Sequence, residues 1–206
     1  MTVRHTEAFE GLIDTLKLSV ATLRERAIPF MLGGSLAAWA RGGPEPQNDL
    51  DLMVTPGDAQ AALAALADAG MRTERPPEEW LYKAWNGEVM VDLIFHPSGL
   101  EITEEVLARA ETIPVMAVAT PVMAAEDMMV TMLCALGEHA LDLCPVLAIA
   151  RSLREQVDWG RLRARVSYSP YAKAFFTLVE ELGVAPPRPG VHTAAQSRVR
   201  VLPTDA

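Results

Sequence analysis

Three aspartates stand in patterns that suit metal-dependent chemistry. Asp49 and Asp51 alternate with leucines in DLDL, so on a β-strand both carboxylates emerge on one face, with Cβ atoms about 6–7 Å apart. Two acids this close repel each other unless a cation lies between them. Asp92 lies in the apolar run MVDLIF, where a buried carboxylate is costly unless it is paired or bound to metal. If the two strands are neighbours, the three carboxylates can converge on one or two Mg²⁺ ions.

A glycine turn precedes the aspartates. Gly33, Gly34 and Ser35 follow the apolar run IPFML and open the small-residue segment SLAAWAR, which predicts a helix with Ser35 as its N-cap. Glycines at such a turn let backbone N–H groups approach a phosphate closely, and the Ser35 hydroxyl can reach the same oxygens. A Gly-Gly pair or an Asp-x-Asp pair alone is more often purely structural. The order of all the features, ending in Asp92, indicates a site.

This order resembles the signature of the DNA polymerase beta-type nucleotidyltransferase superfamily. The likeness covers roughly residues 28–95: Gly34-Ser35, thirteen residues, the Asp49–Asp51 pair, and later Val91-Asp92-Leu93. A weaker likeness joins residues 121–143 to the helical half of small bacterial nucleotidyltransferases, including toxins of abortive-infection toxin–antitoxin systems.

The resemblance implies a fold and a reaction. The expected architecture is α/β (α+β), with a small mixed sheet that carries the aspartates and a C-terminal helical lobe. The expected reaction is an Mg²⁺-dependent (or Mn²⁺-dependent) transfer of a nucleoside monophosphate from an NTP to an acceptor hydroxyl. The glycine turn (Gly33, Gly34 and Ser35) would hold the triphosphate. Asp49, Asp51 and Asp92 would hold the metals, and Asp92 would also help to activate the attacking hydroxyl.

The chain departs from the family pattern where cations are expected. Many relatives place Arg and Ser/Thr shortly before the first aspartate, whereas this sequence has Glu45 and Gln47 there. A lysine that is frequent in the first helix of the helical half is absent from EDMMVTML. Arg41, Lys83 or an arginine of residues 151–165 could supply the missing positive charge.

The acceptor stays open at this point. The resemblance favours a toxin-like enzyme acting on tRNA or protein, with an antitoxin as a possible partner. The alternatives are a small-molecule enzyme, such as an antibiotic-modifying one, and a degenerate member that binds nucleotide or a partner without chemistry. The net charge is −9, but residues 1–150 hold 9 Lys/Arg against 22 Asp/Glu, whereas residues 151–206 hold 9 against 5. The acidic part favours a small, possibly cationic acceptor, and the arginine-rich part favours RNA. Five of its arginines fall within residues 151–165: Arg151, Arg154, Arg161, Arg163 and Arg165.

Several aromatic and histidine side chains are further candidates. Trp80 and Trp85 bracket a strand beside the site and could stack on a base, whereas Trp39 fits core packing better. His96 shares a strand face with Asp92. His139 and Asp142 are three residues apart on a predicted helix and could meet a ligand, although a structural role is commoner.

The elements that position these residues follow from hydrophobic periodicity. Residues 1–120 form a mixed α/β catalytic lobe, residues 121–183 a helical lobe, and residues 184–206 a Pro-rich extended tail. Asn86-Gly87 between two β-rich runs predicts a hairpin. The predicted helices cover residues 6–27, 35–41, 57–69, 122–137, 138–153, 159–166 and 170–182, with another after Thr103, and the predicted strands cover residues 28–32, 48–54, 80–85, 88–96 and 112–118.

Bulk properties agree with a soluble enzyme. Cys134 and Cys144 are too few for a disulfide framework or a four-ligand zinc site. No apolar run is long enough for a membrane span, and the N-terminus has no apolar core of a secretory signal, so we expect a cytoplasmic protein that does not bind membranes.

Overall fold

The fold is a mixed α/β sheet followed by four helices. The computed structural model describes residues 2–46 and 49–187. Its helices are α1 (Thr2–Glu25), α2 (Gly34–Ala40), α3 (Ala59–Asp68), α4 (Glu104–Leu107), α5 (Ala125–Ala135), α6 (Cys144–Ser152), α7 (Trp159–Arg165) and α8 (Pro170–Glu181). Its strands are β1 (Met31–Leu32), β2 (Asp49–Met53), β3 (Arg72–Glu74), β4 (Leu81–Asn86), β5 (Val89–Ile94), β6 (Glu111–Val115) and β7 (Val118–Val122).

The seven strands form one sheet in the order β3-β4-β5-β2-β1-β7-β6. Strands β2 and β5 run parallel at the centre, β1 runs antiparallel to β2, and β7 runs parallel to β1. The expected α/β architecture, with a small mixed sheet and a helical C-terminal part, is confirmed. Position 120 lies inside β7, so the sheet continues to Val122.

The two central strands have one buried face and one chemical face. Leu50 and Leu52 of β2, with Val91 and Leu93 of β5, are fully buried. Helix α1 packs on this side. A Cβ atom built on its Gly11 would lie 3.5 Å from Val89 Cγ2. Because side chains alternate along a strand, the aspartates point to the opposite face. This burial fixes the register of the strands, since a slip of one residue would turn the leucines out and the acids in.

The predicted hairpin is confirmed, with a shift in its loop. Strands β4 and β5 pair antiparallel, and Asn86 lies opposite Val89. The two loop residues are therefore Gly87 and Glu88 rather than Asn86 and Gly87. Gly87 has a φ of +60°, a left-handed conformation that glycine adopts without steric cost.

Two expectations about elements are wrong, and one edge strand was not predicted. The single strand expected over residues 112–118 is a hairpin, β6–β7, that turns at Met116 and Ala117, both with positive φ. The exposed stretch after Gly70 contains the edge strand β3, whose Arg-Thr-Glu sequence carries no apolar signal. Helix α6 begins at Cys144, because residues 136–143 form a loop with a bridge between Gly137 and Ala140.

The helices after the sheet are tied to it through a buried carboxylate. Asp127 of α5 is 2% exposed, and Arg109, which follows α4, donates to its Oδ2 from Nε at 3.0 Å. Arg165 of α7 lies 2.7 Å from the other oxygen. Residues 188–206, most of the expected extended tail, lie outside the described residues. Within the described ranges, no helix has the length and hydropathy needed to cross a bilayer.

The β6–β7 turn predicts a stabilising substitution. Met116 and Ala117 have φ of +45° and +68°, a left-handed turn that Asn-Gly suits and that costs residues with a larger side chain about 1 kcal/mol or more each. Met116→Asn with Ala117→Gly should raise the free energy of unfolding by about 1 kcal/mol, measured by urea denaturation. As a control, Ala64→Gly on the exposed side of α3 should lower that free energy by about 1 kcal/mol. A loss of stability in the turn variant would contradict this conformation.

Candidate active site

The parallel pairing of β2 and β5 brings the three aspartates onto one face of the sheet. Asp51 lies directly beside Asp92 in the register, and Asp49 precedes Asp51 by two positions on β2. Asp92 is 8% exposed, and Asp49 and Asp51 are partly buried. The register therefore places the three carboxylates at neighbouring positions of one face.

Lys83 provides the positive charge of this cluster. It lies opposite Asp92 on β4, and its Nζ is 2.9 Å from Asp92 Oδ1. Its side chain is 26% exposed, so the ammonium is partly shielded from water. Lys83 thus lies at the predicted site, where it bonds to the third carboxylate.

The glycine turn lies against the second carboxylate. Gly34 has a φ of +59°, and an added Cβ would overlap Asp51 Oδ2 and come within 2.6 Å of Asp51 Cγ. The Gly33 amide donates to the Asp51 carbonyl at 2.9 Å, which fixes the turn to β2. Only glycine allows this backbone to approach the carboxylate so closely.

The expected capping role of Ser35 is wrong. Helix α2 begins at Gly34, and the N-cap position is Gly33, with no side-chain capping bond. Ser35 therefore lies in the first turn of the helix. There it lines the cavity beside Gly34, where the proposed phosphate contact remains a prediction.

Burial and mutual repulsion raise the proton affinity of the paired carboxylates. Burial raises the pKa of Asp51 to about 7, the charges of Asp49 and Asp92 act in the same direction, and Lys83 opposes them. Burial also raises the pKa of Asp49; a bond from its own backbone amide and the Lys83 charge oppose this rise, while the Asp92 charge adds to it. One ammonium does not neutralise three acids, so the cluster gains from a further cation.

The pair Asp49–Asp51 fits a hard divalent cation. Asp49 Oδ1 is buried and has no hydrogen-bond partner in the described structure, which is costly for a carboxylate oxygen. Carboxylate oxygens are the donors that Mg²⁺ and Mn²⁺ prefer. As the side chains stand in residues 2–46 and 49–187, however, no group of three or more His, Cys, Asp or Glu could hold a metal ion. Asp92 bonds to Lys83 instead, and its predicted metal contact remains a prediction.

A cavity of about 750 Å³ opens over Asp49 and Asp51. Its floor includes Gly34 and Ser35, and its walls come from the ends of β4 and β5 and from helices α5 and α6. The other described residues that line it are Pro44, Glu45, Met53, Trp80, Ile94, His96, Pro97, Ser98, Thr131, Met132, Ala135, Pro145, Ala148 and Ile149. Asp92 and Lys83 are not in this lining, so they lie beside the floor rather than on it.

The structure gives no support to the proposed role of Arg41 in nucleotide binding. Its side chain is 5% exposed, and its guanidinium donates to the carbonyl oxygens of Met123 and Val122 and bonds to Glu111. Arg41 therefore joins the start of the helical part to the sheet. It does not line the cavity.

Some of the tryptophan and histidine candidates line the cavity, and others lie outside it. Trp80 and His96 line the cavity, whereas Trp85 stacks on Arg72 at 3.7 Å outside it. Trp39 packs edge-on against Phe9, as core packing predicts.

Two other groups of candidates lie outside the cavity. His139 and Asp142 lie in the loop before α6, so their expected helical spacing is wrong, and Asp142 accepts from the Cys144 amide. The arginines of residues 151–165 are also absent from the described lining, which leaves no support for their predicted contact with triphosphate or RNA.

The helical wall of the cavity escaped sequence reasoning. Met132, Ala148 and Ile149 carry no signal in the sequence, because apolar residues look alike in a core and in a binding wall. The helical spacing of Thr131, Met132 and Ala135 marks one face of α5. Only tertiary packing shows that this face meets a cavity.

The chain is similar to known proteins in sequence family and in fold. A family model described as an uncharacterised nucleotidyltransferase matches residues 21–180. The crystal structure of ANT(2″)-Ia in complex with adenylyl-2″-tobramycin is similar to the chain, with a TM-score of 0.56 and 13% identity over 79% of this chain and 98% of that one. The solution structure of the antibiotic-resistance factor ANT(2″)-Ia gives 0.57 and 13%, over 82% and 94%. The lincomycin-bound lincosamide adenylyltransferase LnuA gives 0.44 and 14%, over 68% and 92%. No curated protein sequence matches.

Alanine at position 34 tests the glycine turn. Gly34→Ala adds a Cβ that overlaps the Asp51 carboxylate, in addition to the strain of a positive φ. Gly42→Ala is the matched control, because Gly42 has a φ of +94° and open space around its Cα. Gly34→Ala should lower the free energy of unfolding by about 1–3 kcal/mol more than the control, since the overlap acts as overpacking. Urea denaturation of both variants measures this, and equal losses would contradict the described approach.

The raised pKa of Asp51 predicts a pH dependence of stability. The folded-state pKa of about 7 lies above the ordinary value of 3.8, so the folded protein binds more protons than the unfolded chain between these values. In metal-free buffer the free energy of unfolding should therefore fall as the pH rises from about 4 to 7, by an amount on the order of 3 kcal/mol. Asp51→Asn should flatten this dependence. Asp14→Asn, which changes an exposed carboxylate, should retain it, and parallel profiles for Asp51→Asn and the wild type would refute the assignment.

Proposed function

This chain belongs to the family of uncharacterised nucleotidyltransferases whose model spans residues 21–180, and on that premise we propose that it moves a nucleoside monophosphate from an NTP to a hydroxyl of a small-molecule acceptor. Membership supports nucleotidyl transfer as the chemistry of the chain. The nucleotide, the metal and the acceptor belong to the proposal.

One observation carries the proposal: the glycine turn and the Asp49–Asp51 pair form the floor of a single cavity of about 750 Å³. Backbone that is free of Cβ atoms lies beside a carboxylate pair with an unpartnered oxygen. The amide groups of the turn would bind a triphosphate, and the carboxylate pair would hold the Mg²⁺ that accompanies it.

Each residue of the cavity floor, and each charged residue beside it, has a role in this proposal. Asp49 and Asp51 would hold the cation, which would supply positive charge beside the α-phosphate as the acceptor oxygen attacks and pyrophosphate leaves. Gly33, Gly34 and Ser35 position the triphosphate with amide and hydroxyl groups. Asp92 and Lys83 set the charge beside the pair, and Asp92 helps to activate the acceptor hydroxyl.

The cavity favours a small acceptor over tRNA or protein. No lysine or arginine is present among its described lining residues, although the phosphates of a nucleic acid are held mainly by cationic side chains. The neighbour of similar fold carries a nucleotide joined to an aminoglycoside, which supports a small-molecule acceptor by analogy. Nothing in the site favours an antitoxin partner or a tRNA substrate.

The same shortage of cations favours a second candidate, a protein that binds nucleotide without transferring it. The Arg41 guanidinium bonds to Glu111 and to backbone carbonyl oxygens, and Lys83 bonds to Asp92.

Incubation with Mg²⁺, each radiolabelled NTP, total tRNA and a panel of aminoglycosides and lincosamides separates the candidates. We expect label on a small molecule. Label on tRNA or on the protein itself would contradict the acceptor class, and nucleotide binding without any label would favour the second candidate.

Removal of the carboxylate pair predicts loss of transfer without loss of the fold. Asp49→Asn with Asp51→Asn should lower the transfer rate to background, because the cation loses both ionised ligands. Thermal unfolding of the double variant should occur at or above the wild-type temperature, since the substitution relieves repulsion.

Asp68→Asn is the matched control, because this carboxylate lies on the surface, where its partner is Arg26. It should retain full activity. Full transfer by the Asp49→Asn, Asp51→Asn variant would show that the assigned site is wrong.

A further inference from the structure

The cavity wall that faces the carboxylate pair is apolar and comes from two helices. Helix α5 contributes Thr131, Met132 and Ala135, and helix α6 contributes Ala148 and Ile149. The Thr131 hydroxyl donates to the Met128 carbonyl at 2.8 Å, so its hydrogen bond is already made within the helix. This wall therefore offers a ligand carbon surface and little hydrogen bonding.

Trp80 adds an aromatic surface at the cavity. It is 43% exposed, and it is one of the few large apolar side chains in the described structure that contact solvent so widely. Its carbonyl accepts from the Phe95 and His96 amides at 3.1 and 3.2 Å, which fixes its backbone to the end of β5. A held backbone with an exposed indole is suited to cover an apolar face of a ligand.

The charges of the lining limit the ligand further. Glu45 is the one carboxylate in the described lining besides Asp49 and Asp51, and a ligand with four or five ammonium groups would need more than one acid to balance it. Two arginines of the nearby basic segment are already paired with acids. Arg163 bonds to Glu180 and Arg165 to Asp127.

From these observations we propose that the acceptor is an amphiphilic hydroxyl compound of drug-like size with no more than one positive charge. Its apolar face lies between Trp80 and the wall of α5 and α6, and its hydroxyl points to Asp49 and Asp51. This inference rests on the proposed function. A polycationic aminoglycoside and an RNA end are excluded as the preferred acceptor.

The rival occupant of the same wall is the nucleotide base, so the test measures each ligand separately. Isothermal titration calorimetry without nucleotide compares lincomycin, which has one amine, and chloramphenicol, which is neutral, with tobramycin and a short RNA. We expect measurable binding of at least one of the first two, at least tenfold tighter than that of tobramycin or RNA. Tighter binding of tobramycin or RNA would overturn the proposal.

Variants locate the binding on the wall. Ala148→Asp places a charge on the cavity face of α6, and Ser152→Asp is the matched control on the exposed part of the same helix. Ala148→Asp should weaken the amphiphile at least tenfold and leave NTP binding within twofold, while Ser152→Asp should change neither. Ala148→Asn serves if the charged variant does not fold. Weakened NTP binding with unchanged amphiphile binding would assign the wall to the base and overturn the proposal.

Tryptophan fluorescence gives an independent readout. Binding of the amphiphile should change the emission of the wild type and of Trp85→Phe, but not that of Trp80→Phe, because Trp85 lies outside the cavity. If Trp80→Phe showed the same change in emission as the wild type, the placement of the amphiphile beside Trp80 would be overturned.

The two proposals fail differently. Amphiphile binding that depends on Ala148, without any transfer in the labelling experiment, would sink the proposed function and support the binding class. Transfer to tobramycin or tRNA without amphiphile binding would support nucleotidyl transfer and overturn the inference drawn from the wall.

Discussion

The structure depends on one constraint: three carboxylates must share the face of two parallel strands with a single ammonium. The register of β2 and β5 puts Asp51 beside Asp92, and Lys83 offsets part of the charge. The buried leucines on the other face prevent the strands from slipping away from this arrangement. The sheet therefore fixes an excess of negative charge in place, and burial reduces the screening of this charge by water.

Polar contacts, in addition to the hydrophobic core, hold helices α5–α8 next to the acidic face of the sheet. Arg41 donates to carbonyl oxygens at the end of β7, and its own carbonyl accepts from the Gln156 side chain at 2.9 Å. Asp127 links α5 to Arg109 and Arg165. Because these contacts fix α5 relative to the sheet, they also fix the distance between the apolar wall and the carboxylate floor. Residues that never meet a ligand thus set the width of the cavity.

Much of the site was predictable because its signals are local. The alternation of Asp49 and Asp51 with leucines, and the apolar neighbours of Asp92, follow from a period of two residues. The glycine turn follows from the conformations that glycine alone adopts. The β6–β7 hairpin was missed because Met116 and Ala117 have none of the chemistry of a turn.

The position of Lys83 relative to Asp92 depends on where the β4–β5 loop begins. A loop of Asn86-Gly87 would place Lys83 opposite Met90, whereas the observed loop of Gly87-Glu88 places it opposite Asp92. Arg41 and the α5–α6 wall could not be found at all from local patterns. Their neighbours are at least 70 positions away along the chain or belong to another helix.

The contact between Gly34 and Asp51 has a consequence for the history of such a site. Because any side chain at position 34 overlaps the carboxylate, the two residues form one heritable unit. A descendant that loses the acid is released from the requirement for glycine, and its turn is then free to drift. Loss of the acid would therefore remove the steric reason for glycine, whereas loss of the glycine would disturb the acid. This chain has both residues, so the close approach of the turn to the carboxylate is intact.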